Sequence, residues 1–225
     1  MDMSWKQDHQ DSVDNSQAGA VENLSQISVI VMAAGLSRRF GSNKLLAPFH
    51  GRPVVEWVFE ALKTSGCAPE LVTVVWHDPD VKAMAENYGF KTCFNPCPEE
   101  GQSVSIRVGL TEARVTGAYL FLTADQPLLK AATLSGMLKA YPLGKGRIMM
   151  AAFRGNAGNP VIFDRRYRAA LMNLKGDTGG KQILQGHPEE ILYYEVECSE
   201  ELMDIDSALD LEALSQFHSS DSDSR

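Results

Sequence analysis

Between residues 27 and 217 the sequence alternates short runs of apolar and β-branched residues with stretches whose apolar side chains recur at helical spacing. That alternation leaves few folds open. The strand-like runs are Ile27-Ser28-Val29-Ile30-Val31-Met32, Leu71 to Trp76, Phe90 to Phe94, Ala118 to Thr123, Arg147 to Ala152, Val161 to Phe163, and residues 191–196. Leu71-Val72-Thr73-Val74-Val75-Trp76 is nearly all apolar or β-branched, as expected of a strand covered on both faces. Between these runs the spacing predicts a helix from Pro53 to Gly66, with Val54, Val55, Val58, Phe59 and Leu62 on one stripe. Further helices are predicted at Asp80 to Tyr88, Gly101 to Ala113, 131–140, 164–173, 178–186 and 207–217. The pattern argues for one α/β domain over 25–217 with a mainly parallel sheet. In such sheets ligands sit outside the carboxyl ends of the strands.

Composition narrows the class further. A chain of 225 residues with 44% apolar content can bury one substantial core and suits a soluble globular protein. No stretch approaches the roughly 18 consecutive apolar residues of a membrane span, and the first residues lack a basic segment leading into an apolar one, so a cytoplasmic address is expected. Residues 1–24 carry five acids against one base, lack periodicity and read as a disordered leader; 218–225 reads as a disordered tail. The net charge of −8 is therefore concentrated outside the middle, where basic residues can gather around a site. No basic stripe suggests a nucleic-acid partner, and nothing suggests a membrane partner. Cys67, Cys93, Cys97 and Cys198 are too scattered for a disulfide framework or a metal site and are expected to be free, buried or partly buried thiols.

The loop after the first run is Ala33-Ala34-Gly35-Leu36-Ser37-Arg38-Arg39-Phe40-Gly41-Ser42-Asn43-Lys44. Its small residues let backbone N–H groups approach a ligand, and its cations bring positive charge, which is how a strand-to-helix loop holds a polyphosphate. It is not a P-loop, because five residues separate Gly35 from Gly41 and Lys44 precedes Leu45. Two neighbours in a loop seldom face the same way, so one of Arg38 and Arg39 is expected to reach the ligand.

Asp125 follows the apolar run Ala118 to Thr123 and precedes Gln126-Pro127. A carboxylate fixed at a strand tip is well placed to hold Mg²⁺ against phosphate oxygens; the competing reading is an ordinary turn aspartate before proline. Asp206, in Asp204-Ile205-Asp206, would either cap the last helix or supply a second carboxylate to the metal. Gly158-Asn159-Pro160 and Gly176-Asp177-Thr178-Gly179-Gly180-Lys181 read as loops wrapping a second substrate, where Lys181, Arg154 and Arg165 would meet an anionic group or be plain surface charge.

These motifs, in this order, resemble those of a known family. Ala33 to Gly41 followed by Lys44 is similar to the signature A-A-G-x-S-x-R-x-G-x-x-K of nucleotidyltransferases that act on molybdopterin. Further matches are Asn95-Pro96 with Glu100-Gly101-Gln102-Ser103-Val104-Ser105-Ile106, Ala124 to Pro127, Gly158 to Phe163, Leu174 to Lys181, and Asp204 to Asp206. The chain resembles the molybdenum cofactor cytidylyltransferase branch of the molybdopterin nucleotidyltransferase (MobA/MocA-like NTP transferase) family. The resemblance implies a three-layer α/β/α, nucleotide-diphospho-sugar-transferase-like (Rossmann-like) fold. It also implies transfer of CMP from CTP to the phosphate of molybdopterin (the molybdenum cofactor), with pyrophosphate released and Mg²⁺ as cofactor. By the family pattern Arg39, Lys44 and Asp125 are catalytic, and Asp125 and Asp206 hold the metal. Ala33, Ala34, Gly35, Ser37, Arg39, Lys44, Gly101, Ser103 and Ser105 bind the nucleotide; Asn159, Asp177 and Lys181 face the acceptor. Members using GTP tend to carry Gly-Gly where this chain has Ala34-Gly35, which tilts the choice toward CTP. Thr123-Ala124, Asn159 and Lys181 depart from the usual pattern. Two other activities share most of these residues: cytidylyl transfer to another small phosphorylated acceptor, and a non-catalytic carrier that passes finished cofactor to a molybdenum hydroxylase. A molybdenum hydroxylase is also the expected recipient of the product.

Overall fold

The opening apolar run becomes β1 (Ile27–Ala33), followed after a short 3-10 turn by a small hairpin of β2 (Pro48–Phe49) and β3 (Arg52–Pro53). The computed structural model describes residues 25–217, so the expected leader 1–24 and tail 218–225 lie outside the described residues. The remaining strands are β4 (Val72–Trp76), β5 (Lys91–Phe94), β6 (Ala118–Thr123), β7 (Ile148–Phe153), β8 (Asn156–Asp164) and β9 (Ile191–Glu195). They join β1 in a seven-stranded sheet of order β5-β4-β1-β6-β8-β7-β9. Every strand but β8 runs the same way: β1 pairs in parallel with β4 and β6, β4 with β5 and β7 with β9, while β8 is antiparallel to β6 and β7. The mainly parallel sheet expected from the alternation is therefore present.

Its central strands are nearly all apolar or β-branched because both faces are covered. Val29 and Val31 face α1 (Val54–Thr64), α2 (Pro79–Asn87) and α4 (Ala131–Ala140), joining Val55, Phe59, Val81, Leu134 and Met137 in one core layer. Ile30 faces the other way, toward α3 (Gln102–Glu112), α5 (Arg168–Met172) and α6 (Lys181–Gly186), with Ile106, Leu110, Leu171 and Ile183. The result is three α/β/α layers. A final helix, α7 (Ala208–Leu214), places Leu214 with Phe49, Val54 and Ile205 in a satellite cluster against the hairpin.

One expectation fails. The stretch 155–160 is not a loop leading into a short strand. Arg154 (φ 47°) and Gly155 (φ 85°) form a two-residue turn, and β8 begins at Asn156. Positive φ at both turn positions matches the right-handed twist of a hairpin. A register shift between Met150 and Ala151 accommodates Asn159-Pro160, whose proline nitrogen has no hydrogen to give a ladder.

The strand order also locates the site. From β1 the chain moves to β4 and β5 on one side, then returns to β6 on the other. The loops leaving β1 and β6, parallel neighbours in the sheet, open side by side at their carboxyl ends, where ligands of such sheets bind.

Candidate active site

The loop after β1 is held by its own polar side chains. Ser37 takes φ 48°, its carbonyl accepts from the Phe40 N–H at 2.9 Å, and its hydroxyl accepts from the Lys44 N–H at 3.2 Å. Asn43 caps the 3-10 turn Lys44–Leu46, and its amide donates to Asp78 at 2.9 Å, tying the loop to the tip of β4. The Lys44 side chain is thereby aimed across the end of the sheet.

There it meets two carboxylates from distant parts of the chain. Lys44 Nζ lies 2.6 Å from Asp125 Oδ2 and 2.9 Å from Asp206 Oδ1, while Arg39 Nη1 lies 3.2 Å from Asp206 Oδ2. Lys44 and Asp125 are largely buried, with side-chain exposures of 12% and 15%; Arg39, at 80%, projects into solvent. Burial opposes the charge on Lys44, but the Asp125 and Asp206 carboxylates outweigh it and hold its ammonium above the ordinary lysine value. Asp206 does not cap the last helix. Ser207 does so, in a capping box with Asp210, which leaves the Asp206 carboxylate to the cluster.

These residues border an open cavity of about 880 Å³. Its lining brings together Ala34, Gly35, Ser37, Arg39, Lys44, Gly101, Ser105, Asp125, Asp177 and Asp206 from the sequence expectations. Arg38 lines it as well.

Other expected site residues stand elsewhere. Ala33 is the last residue of β1, is 3% exposed and lies outside the lining. Ser103 is buried in α3; its hydroxyl accepts from Arg107 at 3.3 Å and its N–H donates to the Gly176 carbonyl at 3.2 Å. Asp177 borders the cavity, but its carboxylate accepts from the Gln102 N–H at 3.1 Å and so holds the start of α3. Asn159, near the start of β8, and exposed Lys181, which opens α6, lie outside the lining. Arg165 follows β8, and because that strand runs antiparallel its end sits beside the start of β6, at the opposite end of the sheet from Asp125.

Gln102, in the stretch 102–105 expected near the base, lines the cavity too, as do Thr123, Glu99 and Glu100, to which the sequence reading gave no role. It also gave no role to Asp204. Crowding by protein atoms and the charges of Asp125 and Asp206 push the Asp204 carboxyl up to about 6. The available signal was the spacing in Asp204-Ile205-Asp206, which brings two carboxylates to one end of a short extended segment.

The site's chemistry fits a hard divalent cation. Asp125 Oδ1 is buried and has no hydrogen-bond partner, and the ammonium of Lys44 already bridges the two carboxylates that would share a metal. No group of three or more His, Cys, Asp or Glu side chains is disposed around a metal position among the described residues. Two carboxylates with ligand phosphates and water completing the shell is the usual manner of Mg²⁺ binding. All four cysteines are free: Cys67 and Cys93 buried, Cys97 and Cys198 partly so. No helix among the described residues is long and apolar enough to cross a membrane.

Comparison with known proteins gives a consistent picture. The profile of the MobA-like NTP transferase domain matches residues 29–191. Nicotine blue oxidoreductase of Paenarthrobacter nicotinovorans is 27% identical over 188 residues, spanning 80% of this chain and 90% of that protein. Rv0371c from Mycobacterium tuberculosis H37Rv superposes with a TM-score of 0.75 at 24% identity, covering 85% of this chain and 98% of that one. CMP:2-keto-3-deoxy-manno-octonic acid synthetase complexed with CTP superposes with a TM-score of 0.67 at 16% identity, over 85% and 97% of the two chains. The two structural likenesses speak to fold alone.

Proposed function

The chain belongs to the MobA-like NTP transferase family, and from that premise we propose that it moves CMP from CTP to the phosphate of molybdopterin, giving the cytosine dinucleotide form and pyrophosphate. The observation that carries this reading is the Lys44 ammonium between Asp125 and Asp206 at the mouth of a cavity bordered by the loop after β1. In the proposed reaction an oxygen of the acceptor phosphate attacks the α-phosphorus of CTP. The bond from that phosphorus to the bridging oxygen breaks, and the electron pair leaves on pyrophosphate. Positioning and neutralisation of charge are most of what such a transfer asks of a protein. Arg39, exposed and paired with Asp206, would grip outer phosphate oxygens in a fork, while Lys44 supplies a compact charge near the bond that breaks. Backbone from Ala34 to Ser37 would lie along the triphosphate, and Gly101 and Ser105 near the base. Asp125 and Asp206 would hold Mg²⁺, which when bound neutralises phosphate charge. The preference for a cytidine nucleotide as donor rests on Ala34 in the loop after β1, where members using GTP tend to carry Gly.

A second reading, cytidylyl transfer to another small phosphorylated acceptor, is favoured by one observation: Asn159 and Lys181, expected to face molybdopterin, lie outside the cavity lining. The convergence of Arg39, Lys44, Asp125 and Asp206 argues against a carrier without chemistry. The experiment is incubation with Mg²⁺, each NTP and molybdopterin, recording pyrophosphate. Release with CTP and molybdopterin together is expected. Release with CTP only when another phosphorylated acceptor is supplied would move the assignment to the second reading, and cofactor binding with no release would overturn both.

A further inference from the structure

Asp125 and Asp206 belong to different segments, and their spacing is only as fixed as the join between those segments. Thr123 Oγ1 donates to Asp204 at 3.5 Å, and three further ties make that join. The Ile205 N–H donates to the Asp125 carbonyl at 3.0 Å, and Gln126 Nε2 donates to the Leu202 carbonyl at 3.1 Å. The third is Glu201, whose Oε2 accepts from the Lys130 N–H at 3.3 Å and from the Thr133 hydroxyl at 2.5 Å. Glu201 is fully buried, and among the described residues no Lys or Arg forms an ion pair with it. The side chain of Lys130 turns away to Glu197. Burying a carboxylate without a countercharge is costly, so the partners it does have are informative. α4 begins without a capping side chain of its own. Glu201 fills that role from 71 residues downstream in sequence, offering its negative charge to the positive end of the helix. Helix α4 starts a few residues after Asp125, and Glu201 lies five positions before Asp206.

We propose that Glu201 is a positioning residue for the candidate metal site: by capping α4 from the segment that bears Asp206, it sets the distance between the Asp206 and Asp125 carboxylates. This rests on the nucleotidyl-transfer reading. A cap that only stabilised the helix would leave metal affinity alone; a cap that sets carboxylate spacing would not. Loss of a group orienting metal ligands typically costs about 10–100-fold in metal affinity.

The test measures Mn²⁺ binding to the full chain in the presence of CTP, by the electron paramagnetic resonance of free Mn²⁺. Glu201→Ala is compared with wild type, with Glu201→Gln, with Thr133→Val, and with Leu134→Ala, a packing variant buried in the same helix. Glu201→Ala is expected to lose about tenfold or more in Mn²⁺ affinity, with Thr133→Val shifted the same way. Glu201→Gln, whose amide oxygen still accepts both bonds, is expected to recover most of the loss, and Leu134→Ala to lose stability with little change in affinity. If Glu201→Ala does not fold, Thr133→Val and Glu201→Gln carry the comparison. Affinity in the cap variants no weaker than in Leu134→Ala would overturn the proposal and leave the transfer reading standing. A wild-type chain that binds no Mn²⁺ with CTP would overturn both.

Discussion

At the scale of single residues the site is a problem in placing charge. Lys44 is largely buried and still held above its ordinary pKa, because two carboxylates face it. Removing it as Lys44→Ala leaves those acids opposed and takes a fixed positive charge from the leaving phosphates. Steady-state kinetics are expected to show kcat/KM falling about 10²-fold, and unchanged kinetics would remove Lys44 from the site. Asp204 supplies a test through pH. Its folded pKa, about 6, lies above the unfolded aspartate value, so its contribution to stability is most favourable below the unfolded value and is lost as pH rises through about 6. Asp204→Asn in metal-free buffer is therefore expected to raise Tm at about pH 8, with the gain vanishing by about pH 4. A gain of equal size at both would contradict the assignment. Lys44 and Asp125 were legible in the sequence because their motifs fix residue type and spacing. Asp204 was not, since its shift comes from neighbours that the sequence does not place beside it.

At the scale of elements, the join between α3 and the 174–180 segment controls the wall opposite the β1 loop. Gly101 has φ 96° and ψ −179°, and a Cβ there would lie 2.7 Å from the Gly176 carbonyl carbon. That region of backbone space is essentially reserved to glycine and costs other residues about 1–3 kcal/mol. Gly101→Ala should lower stability by that order in urea denaturation and raise KM for the nucleotide, because the displaced segment borders the cavity through Asp177. A normal KM alongside the lost stability would show that the join is structural only. Helices and parallel strands followed from periodicity to within a few residues. β8 did not, because its Gly158-Asn159-Pro160 has the composition of a loop. The readable cue was Gly155 just after a strand; in the structure Arg154 and Gly155 both take positive φ and make the hairpin connection.

Across the whole molecule, the site lies at the carboxyl end of a sheet built independently of it. Buried layers on both faces hold the ends of β1 and β6 in place, so no metal is needed to form the crevice. Chelation with EDTA is thus expected to abolish pyrophosphate release while leaving the urea midpoint nearly unchanged; a large midpoint shift would mean that the metal helps to build the fold. The sequence by itself determined the alternation of strands and helices, and with it the layers and the end of the sheet at which chemistry can occur, because burial on two faces imposes a local and readable pattern. It also determined the cationic loop and the acid at the strand tip, since each depends on near neighbours. Only the tertiary structure decided that Asp206 joins Lys44 rather than capping a helix, that Asp177 holds α3 and that Glu201 caps α4. Those outcomes depend on groups tens to more than a hundred residues apart competing for the same hydrogen bonds, and only the folded chain settles such competition.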